Sequence, residues 1–124
     1  MNHTLPTIEK LKSKKLLDEL FTSGKKLNEY PIKLVYKKLD FEDEVLIKTG
    51  VSVPKRNFKR AVDRNRIKRL LREGYRLNKH IIHNEIKEKY VCMFLYLGKE
   101  MPTCEVLNDK MIKLLNKLVE KEIS

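Results

Sequence analysis

An α+β sandwich in a single domain is the fold class this sequence predicts, and three observations predict it. The chain has 124 residues, an ordinary length for one domain with a core of its own. Its apolar residues fall into three stretches with helical spacing and three strand-like runs, which interleave in the order α-β-β-α-β-α. No repeat, low-complexity tract or linker divides them. The expected organisation is a short, flexible N-terminus over 1–9 and one domain over 10–124.

The first helix rests on Leu16, Leu17, Leu20 and Phe21, with Ser13 as its N-cap and Gly24 as its stop. Pro31 opens the first strand, Ile32 to Lys37, which is rich in strand formers. The acidic run Asp40 to Glu44 reads as a solvated turn. A second strand runs from Val45 to Val53, where Gly50 marks a bulge or a close approach and Pro54 ends the element. Ala61 to Ile82 is predicted as one long helix, with Ile67, Leu70, Leu71, Gly74, Tyr75, Asn78, Ile81 and Ile82 in the i, i+3, i+4 rhythm. Tyr90 to Leu97 is almost continuously apolar, as suits a strand covered on both faces. Thr103 caps a last helix whose apolar stripe is Leu107, Met111, Leu114, Leu115 and Leu118.

Composition narrows the function classes. The formal net charge is +11, and 41% of residues are hydrophobic. No apolar run approaches the roughly 18 residues that a membrane span needs, and the N-terminus lacks the apolar segment of a secretory signal. Cys92 and Cys104 are too few for a disulfide framework and have no metal-ligand spacing, so a cytoplasmic setting is expected. No catalytic constellation and no metal site emerges. His80 and His83 have no third partner and read as solvated or capping residues, and Cys92 reads as a small hydrophobe.

The charge is local. Between Lys55 and Lys79 lie eleven lysines and arginines against only Asp63 and Glu73, a net +9 that leaves +2 for the rest of the chain. At about 100° per residue, with Arg64 as zero, Lys68, Arg72 and Arg76 fall near 40°, 80° and 120°, Arg69 near 140° and Arg66 near 200°. Asn65, near 100°, stands among them, and Ile67, Leu70, Leu71 and Gly74 occupy the opposite side. Most charged helix faces are merely solvated, but those mix signs. A one-sided cationic face calls for a polyanion. Arginine suits phosphate because its planar fork donates two parallel bonds. A lipid surface would need large apolar groups on the helix. A DNA-reading helix-turn-helix would need a short helix just before it, where this chain has strand, Pro54 and a basic loop. RNA remains, by elimination, the expected partner.

The segment from Lys55 to Glu73, with Arg64-Asn65-Arg66 followed by Lys68-Arg69 and Arg72-Glu73 and preceded by Ala61 and a basic loop, resembles the signature of the protein subunit of bacterial ribonuclease P. The flanking elements agree in order, so the resemblance extends over about 10–119. It implies a sandwich with a left-handed β-α-β crossover, against the usual hand. It also implies a protein that binds a catalytic RNA and assists removal of the 5′ leader from precursor tRNA. The RNA, with Mg2+ held mainly by itself, carries the chemistry, and the protein alone is inactive, with no catalytic residue of its own. One monomeric protein per RNA is expected, with no DNA and no membrane partner.

Carried over by position, Arg64, Asn65, Arg66, Lys68, Arg69 and Arg72 would meet the catalytic RNA, and Lys55, Arg56, Asn57 and Arg60 would extend that contact. The leader cleft would use Phe21, Tyr36 (or Val35 in its place) and Val51. Leu17 would join them where many family members carry an aromatic, replacing a stacking ring with an apolar wall. Sequence-tolerant stacking suits leaders that vary. The rival reading is a non-catalytic RNA-binding module, of ribosomal or RNA-chaperone type, using the same basic face.

Overall fold

Helices α1 (Lys14–Ser23), α2 (Ala61–Asn78), α3 (His80–His83) and α4 (Cys104–Ile123) enclose a four-stranded sheet. Its strands are β1 (Lys25–Glu29), β2 (Ile32–Lys38), β3 (Ile47–Ser52) and β4 (Tyr90–Tyr96), in the spatial order β1-β2-β4-β3. This computed structural model describes residues 14–39 and 46–123. The expected flexible segment 1–9, the Ser13 cap and the acidic turn from Asp40 to Glu44 lie outside them. β1 and β4 both run antiparallel to β2, and β3 runs parallel to β4, so α2 and α3 form the crossover between parallel neighbours.

The sheet is covered on both sides, as the apolar β4 required. Alternation sends Ile32, Leu34 and Tyr36 of β2, and Tyr90, Cys92, Phe94 and Tyr96 of β4, to one face. There they pack with Ile67, Leu71 and Tyr75 of α2 and with Leu107, Met111, Leu114, Leu115 and Leu118 of α4. Val35, Val91 and Met93 point to the other face and meet Leu20, with Leu16 and Leu17 beside it. The first core is the large one; in the second, α1 is the one helix among the described residues that packs on the sheet.

Three local devices fit their predicted roles. α1 stops at Gly24, whose N–H reaches the Leu20 carbonyl at 2.8 Å; a Cβ there would strike that carbonyl and come within 2.9 Å of Val35 Cγ1. Thr103 caps α4, its Oγ1 accepting from the Val106 N–H at 3.2 Å. Cys92 is fully buried, and burial pushes its thiol up to about 12, as befits a small hydrophobe.

Other expectations change. β1 was missed because of its five residues only Leu27 turns fully to the core. It is held by its pairing with β2 through a turn at Tyr30 and cis-Pro31, and by α4, where Lys117 meets the Glu29 carboxylate at 2.7 Å and the Asn28 carbonyl at 2.8 Å. The β3–β4 register runs unbroken through Gly50↔Met93, so Gly50 makes no bulge. The long helix ends at Asn78, and α3 follows after Lys79. The buried Asn78 amide bonds back to the Gly74 carbonyl at 2.8 Å and across to Asn108 Oδ1 at 2.6 Å. Such back-bonding competes with the helix ladder. His83 is not simply solvated: its Nε2 lies 3.3 Å from the Tyr75 hydroxyl.

Candidate nucleic-acid interface

The basic loop between β3 and α2 is anchored from three directions. Val53 is buried, and the Phe58 ring packs 6.0 Å from that of Tyr96. Asn57 Nδ2 donates to the Leu97 and Gly98 carbonyls at 3.4 and 3.5 Å. Arg64, one turn into α2, sends its Nη1 back to the Phe58 and Lys59 carbonyls at 2.8 Å each. A short segment fixed by its neutral groups presents its cations outward: Lys55, Arg56, Lys59 and Arg60 are all exposed.

On α2 the buried residues are Ile67, Leu71, Gly74, Tyr75 and Asn78, which centre the core stripe near 325° on the wheel used above. Arg64, at zero, therefore lies at the edge of the core side rather than at the heart of the basic one, which explains why its fork turns to loop carbonyls. Leu70 is only half-buried. Asn65, Arg66 and Arg69 are exposed, and Lys68 and Arg72 flank the stripe half-exposed. Of the ten residues expected to meet RNA, Arg64 and Asn57 make bonds to backbone carbonyls that brace the loop, and the other eight are exposed or half-exposed. Sequence alone gave no signal for this, since the loop carbonyls that capture Arg64 depend on how Phe58 packs.

The cleft residues divide between the two faces of the sheet. Leu17 and Phe21 sit one turn apart on α1, Leu17 half-buried and Phe21 54% exposed. Tyr36 is not with them. It faces the α2–α4 core, 1% exposed, and its hydroxyl donates to Glu122 Oε2 at 3.0 Å. Val51 also packs on that core side. The reason is the two-residue period of the strand: shifting by one residue changes the face. Val35, not Tyr36, shares α1's side, and along β3 that side carries the half-exposed Lys48, Gly50 and Ser52. α1 packs on β2 and β4. A strip of sheet with Gly50, Met93 and Leu95 in its floor runs along this face.

Glu122 gathers a cluster that sequence reasoning missed. It accepts from Tyr36, from Tyr90 at 2.9 Å and from Lys25 at 3.2 Å. Burial alone would raise its carboxyl, but the bonds from Tyr90, Tyr36 and Lys25 outweigh it and hold the group below the usual carboxylate range. The Tyr90 phenol is pushed up to about 12, first by burial and then by Glu122, and Tyr36 is raised for the same reasons. The cluster ties the end of α4 to three strands and has the character of a structural lock. Among the described residues, no group of three or more His, Cys, Asp or Glu side chains could hold a metal, and no helix is long and apolar enough to cross a membrane.

Comparison with known proteins identifies the family and the fold. A family model described as Ribonuclease P matches residues 5–119. The ribonuclease P protein component of Porphyromonas gingivalis is 37% identical over 119 residues, covering 89% of this chain and 86% of its own. The RNase P protein of Thermotoga maritima has the same fold, with a TM-score of 0.70 over 88% of this chain and 96% of its own at 22% identity. That of Staphylococcus aureus gives 0.66 over 93% and 96% at 16% identity. The fold and the one-sided basic surface define a single-domain RNA-binding protein. The chain belongs to the ribonuclease P family, whose members are the protein subunits of the tRNA 5′-processing ribonuclease.

Proposed function

We propose that this chain docks on the catalytic RNA of ribonuclease P through the loop 55–60 and the outer face of α2, and steadies the 5′ leader of precursor tRNA on the other, α1-bearing face of the sheet. The observation that carries the first part is the net +9 between Lys55 and Lys79, set on a loop whose backbone is tied down by Phe58, Asn57 and Arg64. Phosphates meeting that surface need not order it first, so little of the binding energy is lost to loop entropy. Lys55, Arg56, Arg60, Arg66, Lys68, Arg69 and Arg72 supply the cations, and Asn65 an amide able to address a base edge.

The leader's place rests on Leu17 and Phe21 beside the strip of Gly50, Met93 and Leu95. An apolar floor with one exposed ring favours stacking over base-edge readout. This assignment replaces Tyr36 by Val35 and omits Val51. The same reading gives the β3-α2-β4 crossover a left hand and assigns one monomeric protein to each RNA, in the cytoplasm. Mg2+ and the chemistry lie with the RNA; this chain's residues bind, orient and neutralise. The test is reconstitution. The protein added to the RNA subunit should raise precursor-tRNA cleavage at low Mg2+ and do nothing alone. An RNA subunit that is bound but not stimulated would favour the non-catalytic RNA-binding module instead.

A further inference from the structure

The two ends of the sheet differ. Ile32 pairs with Tyr96 and Ser52 with Leu95, so the β1–β2 turn, the segment after β4 and the basic loop before α2 all gather at one end. Tyr30, at that turn, is 69% exposed, the most exposed large apolar side chain among the described residues. It lines a recess of about 240 Å³ together with Pro31, Tyr96, Gly98, Lys99 and Glu100. Lys99 also lines an adjoining hollow of about 600 Å³ that Arg56, Asn57 and Leu97 complete. An aromatic ring, a proline ring and Lys99 thus share one recess, and Lys99 joins it to the hollow that Arg56 lines.

The platform is fixed before anything binds. The Leu97 N–H donates to the Pro31 carbonyl at 2.8 Å, which joins the two segments. The Tyr96 hydroxyl donates to the Glu100 carbonyl at 2.6 Å, and Asn57 holds the Leu97 and Gly98 carbonyls. Gly98 is required there, because a Cβ would stand 2.7 Å from Tyr96 Cζ. None of these bonds involves the Tyr30 ring, Lys99 or Arg56. The interactions that build the platform leave its ring and cations at the surface.

We propose that this end of the sheet binds one unpaired nucleotide of the ribonuclease P RNA, with its base stacked on Tyr30 and its phosphate held by Lys99 and Arg56. A base can cover an exposed ring only where it is not already stacked in a helix, hence the unpaired nucleotide. The Glu100 carboxylate repels phosphate from the Tyr30 side, so the phosphate sits toward Arg56. That carboxylate also offers an acceptor to a base carrying an amino group. The RNA subunit is the source because Arg56 belongs both to this hollow and to the loop proposed to dock that RNA. The inference rests on that docking and adds a base contact to it.

The test compares Tyr30→Ala, Tyr30→Phe and Lys99→Ala with Arg66→Ala by equilibrium binding to the RNA subunit without precursor. Losing one stacked base should weaken binding about tenfold in Tyr30→Ala, while Tyr30→Phe, which keeps the ring, binds as the parent does. Lys99→Ala should weaken binding and lower the salt slope by about one. If Arg66→Ala weakens binding and Tyr30→Ala does not, this inference is wrong and the docking face stands. If neither changes binding, the docking face itself is wrong. A Tyr30→Ala defect confined to precursor affinity in the assembled holoenzyme would place substrate there instead and overturn the proposal. Tyr30 lies outside the core, and an unchanged melting temperature checks that each variant is folded.

Discussion

Phe21 and Tyr36 lie on opposite sides of the sheet, so substituting them separates two roles. Phe21→Ala removes an exposed ring and should leave stability within about 0.5 kcal/mol while lowering precursor affinity; thermal melting and binding to the holoenzyme measure the two effects. Tyr36→Phe removes only the hydroxyl that Glu122 accepts, and should cost about 1 kcal/mol of stability with precursor affinity unchanged. Loss of precursor affinity in Tyr36→Phe at full stability would place the Tyr36 hydroxyl against the leader. Glu122 also makes a pH prediction. Its carboxyl is held below its ordinary value, so the stability it contributes is present above the unfolded value and lost as pH falls through the folded one. Tyr36 and Tyr90 are raised, so their contribution is present below about pH 10 and lost as pH rises past it. Glu122→Gln should therefore unfold about 2 kcal/mol more easily at neutral pH and show a flatter acid limb in denaturant titrations. An acid limb identical to the parent's would show that Glu122 is not the lock.

At the scale of elements, α2 carries two functions on one cylinder, and its residues sort by angle. Arg64 holds loop carbonyls, whereas Arg66 and Arg69 are exposed. Arg66→Ala should lower RNA affinity and reduce the salt slope by about one, as loss of a phosphate contact does. Arg64→Ala should lower affinity with the slope little changed, because it loosens the loop. Gly74 offers an independent check on packing. A Cβ there would meet Met111 at 3.8 Å, ordinary contact, and no glycine has positive φ. Gly74→Ala should therefore stabilise the protein by about 1 kcal/mol, read from denaturant unfolding.

These elements also show what could be read beforehand. α1, β4, α4 and the core side of α2 were legible because their apolar spacing is dense and their caps, Gly24 and Thr103, are unambiguous. β1 was not, since an edge strand with a single fully core-facing Leu27 has no pattern to find. The exposed members of the basic face were legible from charge alone. The face of Tyr36 was not, because one residue of register decides it, and neither was the retreat of Arg64 into its own loop.

For the whole molecule, the sheet separates two proposed surfaces of different chemistry. Cations gather on the loop 55–60 and α2, and extend through Arg56 toward Lys99 at the sheet end. The opposite face, under α1, is built from Leu17, Val35, Met93 and Leu95. This separation lets one small chain hold an RNA subunit without covering the place proposed for a substrate strand. The affinity for the ribonuclease P RNA as a function of salt reports how many of these cations meet phosphate. If six to eight cations of the basic face meet phosphates, log affinity should fall against log salt with a slope of roughly −4 to −7. A slope near zero would show that the basic face is not the surface that binds the RNA.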